Sequence, residues 1–203
     1  MKRVLITGGN GDIAKAIKNE LIKYGEYEIM SPSKSELDVT ITKNVDMFFE
    51  SFVPDVLINN AGFVAPMSIG DCEIDIEKKS IDINLFGTFN CTAAVLKRNP
   101  TATVVNIGSS AASNARKTWS SYCASKAGVV MATKCWAEDG FNVVCISPGR
   151  TATKMRKGLF PNEDQDELLK PEEFAKIILK AIFGEYAKGS NIDVSKQNIK
   201  EML

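Results

Sequence analysis

Short runs of consecutive apolar residues alternate along the chain with segments whose apolar positions recur every three or four residues. Arg3–Thr7 (RVLIT) is a run of the first kind and reads as a strand buried on both faces. Asp12–Tyr24 is of the second kind, with Ile13, Ile17, Leu21 and Ile22 near helical spacing and Gly25 placed as a C-cap. Further strands are predicted at Tyr27–Met30, Asp55–Ile58, Thr101–Ile107, Asn142–Ile146 and Ser190–Val194. Helices are predicted over Thr42–Phe52, Ile76–Lys97, Ser120–Glu138 and Pro171–Phe183, the last with proline in its first turn. Strands that alternate with crossover helices imply an α/β fold: a parallel, doubly wound sheet with helices on both faces. No linker or repeat divides residues 1–203, so one domain is expected, with a mobile substrate loop at about 150–170.

The polar interruptions fall at strand ends. Thr7-Gly8-Gly9-Asn10-Gly11-Asp12-Ile13 joins the first strand to the first helix. Glycines there let the backbone approach a ligand and aim N–H groups at a phosphate, although the spacing is not G-x-G-x-x-G. Asn59-Asn60-Ala61-Gly62 follows Asp55–Ile58, Gly108-Ser109 follows Thr101–Ile107, and Ser147-Pro148-Gly149 follows Asn142–Ile146. Tyr122 and Lys126 lie one helical turn apart on one face of Ser120–Glu138. These groups converge on one edge of the sheet, where open α/β sheets bind dinucleotides.

Composition narrows the chemistry. The chain has no histidine, so Ser-His-Asp and Cys-His catalysis and imidazole-ligated zinc are excluded within it, and no metal site is expected. Twenty-five basic and 25 acidic residues cancel, which leaves no footprint for nucleic acid or an anionic membrane. Cys72, Cys91, Cys123, Cys135 and Cys145 form no C-x-x-C pair and read as reduced thiols of a cytoplasmic protein. No stretch is long enough to span a membrane, and the apolar run after Met1-Lys2-Arg3 is too short for a signal peptide.

Taken in order, Thr7-Gly8, Asn59-Asn60-Ala61-Gly62, Asn84, Ser109, Tyr122/Lys126 and Pro148-Gly149 with Thr153 resemble the short-chain dehydrogenase/reductase family over nearly the whole chain. The resemblance implies a Rossmann-type fold and hydride transfer between a nicotinamide cofactor and a small carbonyl or alcohol substrate. It makes Tyr122 the general acid and base, Lys126 its electrostatic partner and a ribose ligand, and Ser109 (with Ser110 as the neighbouring alternative) the group that orients the carbonyl. Asn84 would hold a relay water. Lowering a tyrosine from about 10 to about 7 takes about 4 kcal/mol, which an ammonium about 4 Å away supplies at an effective dielectric of about 20. The cofactor would lie along Thr7–Ile13, Asp38, Val39, Asn60–Gly62, Tyr122, Lys126, Pro148, Gly149, Thr151 and Thr153. A homodimer or homotetramer through Ile76–Lys97 and Ser120–Glu138 is also implied.

The chain departs from the family pattern in two places. Asp12 and Ala14 stand where the family has its second and third glycines, which puts cofactor affinity in doubt. Only Ser31–Glu36 separates the second strand from Leu37-Asp38-Val39, so the usual crossover helix is expected to be missing and the third strand rudimentary or absent. No acid precedes Glu36 in that segment; NADP(H) is therefore expected over NAD(H), with Ser31, Ser33 or Lys34 near the 2′-phosphate. Arg116, Lys117 and Arg150 are either anion contacts in the substrate pocket or solvated charges. The altered glycine turn leaves one alternative, a catalytically weak dinucleotide sensor or scaffold. Sugar-nucleotide epimerase chemistry would call for a larger substrate domain after Pro148-Gly149.

Overall fold

A computed structural model describes all residues, Met1–Leu203. Six strands form one parallel sheet in the order β2-β1-β3-β4-β5-β6. They are β1 (Lys2–Ile6), β2 (Tyr27–Met30), β3 (Val56–Asn59), β4 (Thr103–Ile107), β5 (Asn142–Pro148) and β6 (Asn191–Val194). The main crossover helices are α1 (Asp12–Ile22), α2 (Thr42–Ser51), α3 (Ile74–Ile81), α4 (Gly87–Arg98), α5 (Ser120–Glu138) and, after a short α6 (Lys154–Leu159), α7 (Pro171–Ile182). A last turn, α8 (Ile199–Met202), was not foreseen.

The two-residue period of a strand splits the core into two faces. The register row Leu5–Leu57–Val104–Val143 packs with Phe49 and Val95 beneath α2 and α4. The next row, Ile6–Ile58–Val105–Val144, packs with Ile17, Leu21, Phe174 and Ile178 beneath α1 and α7. A slip of one residue would exchange these faces, so the register is strongly specified. One row further on, Asn59 donates to Asn106 Oδ1 and Thr92 Oγ1, and Asn106 donates to Thr133 Oγ1, each at 2.9 Å. This buried network fastens α4 and α5 to the sheet just below its carboxyl edge.

After β2 the chain runs through residues 31–41 straight into α2, so the third family strand and its crossover helix are both absent. Leu37 and Val39 are buried under α2 and α4 instead of pairing in the sheet. The close approach needs Gly87, where a Cβ would meet Val39 Cγ2 at 2.5 Å.

Two expectations change. The helix predicted over Ile76–Lys97 runs from Ile74 to Arg98 and contains a π-helical turn, Asp82–Phe86, around Asn84. The segment expected to be a mobile loop is partly structured. It carries α6, a bridge between Thr151 and Leu169 at its base, and fully buried Leu168 and Leu169.

Candidate active site

The glycine turn after β1 is packed backbone to backbone. Gly8 has φ +68°, and a Cβ there would lie 2.9 Å from Ala61 Cα. A Cβ on Gly9 would lie 2.1 Å from the Ser31 carbonyl oxygen, and the Gly9 N–H donates to Pro32 O at 2.8 Å. Thr7 is buried, and its Oγ1 accepts from the Asn60 and Ala61 N–H groups at 3.0 Å. Asn60 Nδ2 returns a bond to Thr7 O at 2.9 Å. The Thr7 hydroxyl, expected as a cofactor contact, therefore ties two strand ends together and does not line the groove.

That groove, of about 490 Å³, is lined along the turn by Gly8, Asn10, Gly11, Asp12 and Ile13, and across from it by Asn60, Ala61 and Gly62. Tyr122, Lys126, Pro148 and Thr153 line its inner end, and Lys34, Asp38 and Val39 its outer end. Asp12 keeps its carboxylate occupied: Oδ2 accepts from the Lys154 backbone N–H at 2.6 Å, which ties the turn to the start of α6. Gly149 and Thr151 lie off the groove; both line the second cavity described below.

At the outer end the three residues expected near a 2′-phosphate separate. Ser33 Oγ and its N–H both donate to Glu36 Oε2, at 2.8 and 2.7 Å. The Ser33 hydroxyl is thus spent locally and does not line the groove. Lys34 does line it, with its ammonium 3.5 Å from Asp38 Oδ2. Ser31 Oγ is buried without a partner.

At the inner end, α5 carries Tyr122 and Lys126 past the end of β4. Lys126 is buried, and its ammonium donates to Ile107 O at 2.7 Å. Burial brings its pKa down to about 8, with Cys145 acting in the opposite direction. Burial pushes the Tyr122 phenol above its ordinary value, and a hydrogen bond with Ser109 offsets only part of this. The expectation that the ammonium draws the phenol down is therefore corrected for the protein alone. Lys126 Nζ is turned to a carbonyl and stands 5.9 Å from the Tyr122 ring centre, so desolvation prevails at both groups.

Ser109 Oγ accepts from the Ala111 N–H at 3.1 Å. Asn84 is fully buried; Oδ1 accepts from Phe63 N–H at 2.7 Å, and Nδ2 donates to Phe63 O at 2.8 Å and Ser125 Oγ at 3.1 Å. Its side chain ties the loop after Gly62 to α5 and so positions both. The π-helical turn turns it inward, as such turns commonly do at functional sites.

A second cavity, of about 670 Å³, adjoins the groove and shares Ile13, Tyr122, Pro148, Thr153 and Met155 with it. Ser109, Ser110, Trp119, Arg156 and Phe160 are among its walls. Thr118, also in its wall, has φ +68°, a rare conformation for a β-branched residue. Its carbonyl accepts from Met67 N–H at 2.8 Å, which holds the two lips of the cavity together.

Residues 35–164, nearly two thirds of the chain, match the family model described as short chain dehydrogenase. The chain belongs to the short-chain dehydrogenase/reductase family. A 3-oxoacyl-(acyl-carrier-protein) reductase from Thermotoga maritima is 30% identical over 190 residues, covering 83% of this chain and 77% of that protein. A benzil reductase forming (S)-benzoin, from Bacillus subtilis, is 29% identical and covers 82% of this chain and 81% of its own. The fold is shared with a 4-hydroxyisoleucine dehydrogenase solved with NADH, at TM-score 0.84 and 24% identity over 96% of both chains. Membership makes the protein an oxidoreductase acting on a carbonyl/alcohol pair, in a family that binds nicotinamide cofactors.

Within this short-chain dehydrogenase/reductase, sequence reasoning passed over several groove residues. Phe63, Lys79 and Ile83 form the lip opposite the glycine turn, with Lys79 Nζ 4.5 Å above the Phe63 ring. Lys154 and Met155 close it from α6. Lys79 had no sequence signal beyond its place one turn before Ile83.

Proposed function

We propose that the protein transfers a hydride between a nicotinamide dinucleotide in the groove and a carbonyl or alcohol compound in the adjoining cavity. The carrying observation is that Tyr122 lines both spaces, with Ser109 beside it and Lys126 behind it. The groove fits the cofactor: Gly8, Asn10 and Gly11 present backbone along its edge, Gly8 in a conformation where a Cβ would meet Ala61 Cα at 2.9 Å, and Gly9 behind them packs on Ser31, whose Oγ is buried and unpartnered.

A bound nicotinamide supplies or accepts the hydride at the substrate carbon. In reduction the Tyr122 hydroxyl donates its proton to the substrate oxygen, and in oxidation the phenolate takes it back. A phenol raised above its ordinary pKa is reliably protonated at neutral pH and so ready as the acid. Ser109 donates a hydrogen bond to the same oxygen and fixes its direction. Lys126, which retains its charge at pH 7, offsets the phenolate as it forms. Asn84 keeps the Phe63 lip and α5 in register.

The phosphorylated cofactor is favoured because Ser31, directly after β2, stands where an acid would repel a 2′-phosphate, and Lys34 is the first cation after it. Ser33 is no longer part of this reading. The exposed Phe86, Phe89 and Met131 on the π-helical turn, α4 and α5 support self-association through these helices, as a dimer or tetramer. Residues 1–203 act as one unit in this reading, with 150–170 over the substrate.

A panel of ketones and alcohols assayed with NADPH and NADH, followed at the nicotinamide absorbance, tests the activity. Cofactor binding without turnover of any compound would favour the sensor reading, which the Asp12 substitution in the glycine turn supports.

A further inference from the structure

The second cavity has an uneven distribution of charge and aromatic surface that the catalytic reading leaves unexplained. Four cations line it (Arg116, Lys117, Arg150 and Arg156), with Glu163 as the one acid. Glu163 is spent within the wall. Its Oε2 lies 2.6 Å from Arg156 Nε, and its Oε1 lies 2.7 Å from Arg156 Nη2 and 3.2 Å from Arg150 Nη1. Hydrogen bonds from Arg156 hold this carboxyl below its ordinary pKa, so it remains an anion and fixes both guanidinium groups in place. Arg116 and Lys117 are exposed and make no ion pair. The wall therefore carries a surplus of positive charge.

An aromatic shelf runs from Arg156 to the proposed catalytic phenol. The Arg156 guanidinium lies 4.4 Å above the Phe160 ring, and Phe160 stacks on Trp119 at 6.2 Å and 29°. Trp119 in turn meets Tyr122 edge-on at 5.4 Å and 89°. The cavity wall thus combines hydrogen-bond donors for a carbonyl oxygen at Ser109 and Tyr122, flat apolar surface at Trp119 and Phe160, and a surplus of cations. Such surfaces recognise, respectively, a carbonyl, a planar apolar segment and an anion.

We propose that the substrate is a ketone, or its alcohol, that carries a flat apolar body ending in an anionic group, carboxylate or phosphate. The carbonyl lies at Ser109 and Tyr122, the body lies along Trp119 and Phe160, and the anion meets Arg116, Lys117 and the free side of Arg150. The proposal rests on the oxidoreductase reading for the site of the carbonyl. A cavity of about 670 Å³ accepts a molecule of this size.

The test compares 4-acetylbenzoate with its neutral methyl ester in the parent protein and in an Arg116→Gln/Lys117→Gln double variant. Neither residue is buried or paired, so the variant should fold. Two readouts are used: kcat/KM with the preferred cofactor, and quenching of Trp119 fluorescence in a Trp136→Phe background. The acid should be reduced at least about tenfold more efficiently than the ester at low salt, and the double variant should lose most of that preference. Equal efficiency for acid and ester, or no quenching by the acid, overturns the proposal and leaves the oxidoreductase reading intact. Selective quenching by the acid with no turnover of any carbonyl compound supports the ligand class and overturns the catalytic reading. A charge preference seen only for a thioester on an acidic carrier protein overturns the small-molecule proposal and makes the cations a protein-docking surface.

Discussion

The carboxylate of Asp12 accepts a hydrogen bond from the backbone N–H of Lys154 at 2.6 Å, joining residues 142 positions apart. The aspartate that replaces a family glycine is thereby turned from the phosphate turn toward α6, and it anchors the segment that roofs both spaces. A hydrogen bond to a charged group contributes about 1.5–3 kcal/mol. Asp12→Gly should therefore speed hydrogen exchange at the Lys154 amide at least about tenfold. It should also tighten dinucleotide binding a few-fold, because a negative charge leaves the groove. Exchange mass spectrometry and cofactor titration read the two effects separately; unchanged exchange would mean that the contact does not hold the segment.

Tyr122→Phe removes the proton donor without altering the groove lining beyond one oxygen. Turnover of any carbonyl substrate should fall by about 10²–10⁴-fold, while the cofactor dissociation constant stays within about twofold. Single-turnover kinetics beside cofactor titration will show whether chemistry and binding separate in this way.

Lys126 makes stability depend on pH in a definite direction. Its ordinary pKa of 10.5 falls to about 8 in the folded protein, so the folded state penalises the ammonium. That penalty is full below pH 8 and fades as pH rises through 10.5, above which both states are neutral. The Lys126 contribution should therefore rise between pH 8 and 10, by about 2 kcal/mol, against the opposite pull of Cys91 and Cys145, whose burial raises them to about 12 and about 11. Tyr122, raised above 10, adds to that opposite pull only beyond the window, so the Lys126 effect is read as the difference between parent and variant. Thermal melts of the parent and of Lys126→Met provide the check, and the variant should lack the rise.

Gly9→Ala places a methyl group 2.1 Å from the Ser31 carbonyl oxygen, which is backbone and cannot swing aside. The loop after β2 must then retreat. A loss of about 1–3 kcal/mol in stability is expected, as for other overpacked sites, together with at least about tenfold weaker cofactor binding. Denaturant unfolding with and without NADPH should detect both.

The main elements were legible because each carries a local signal. Val4, Leu5 and Ile6 read as a two-faced buried strand, and Tyr122 with Lys126 as one face of a helix, from spacing alone. The missing third strand was legible for the same reason: Ser31–Glu36 leaves no length for a crossover. The π-helical turn at Asp82–Phe86 was not, since Asp-Ile-Asn-Leu-Phe fits ordinary helical periodicity and the inward turn of Asn84 depends on Phe63 and Ser125. The Asn59–Asn106 bond joins residues 47 apart, and Asn59 alone reads as turn chemistry. Ser33 resembled a phosphate ligand until Glu36 folded back onto it. Positions whose partners lie along the chain were readable, and those whose partners lie across it were not.

The missing strand beside β2 has a consequence for behaviour in concentrated solution. With no third strand beside it, β2 exposes one rail of unpaired backbone N–H and C=O groups, a template on which a strand of another molecule could add. The chain limits that hazard by simple means. The edge is four residues long, Glu28 on it is ion-paired to Arg3 at 3.4 Å, and Pro32 closes it just beyond the last paired residue. The short segment that replaces a third strand thus carries near its start a proline that keeps a bare sheet margin from becoming a seed for aggregation.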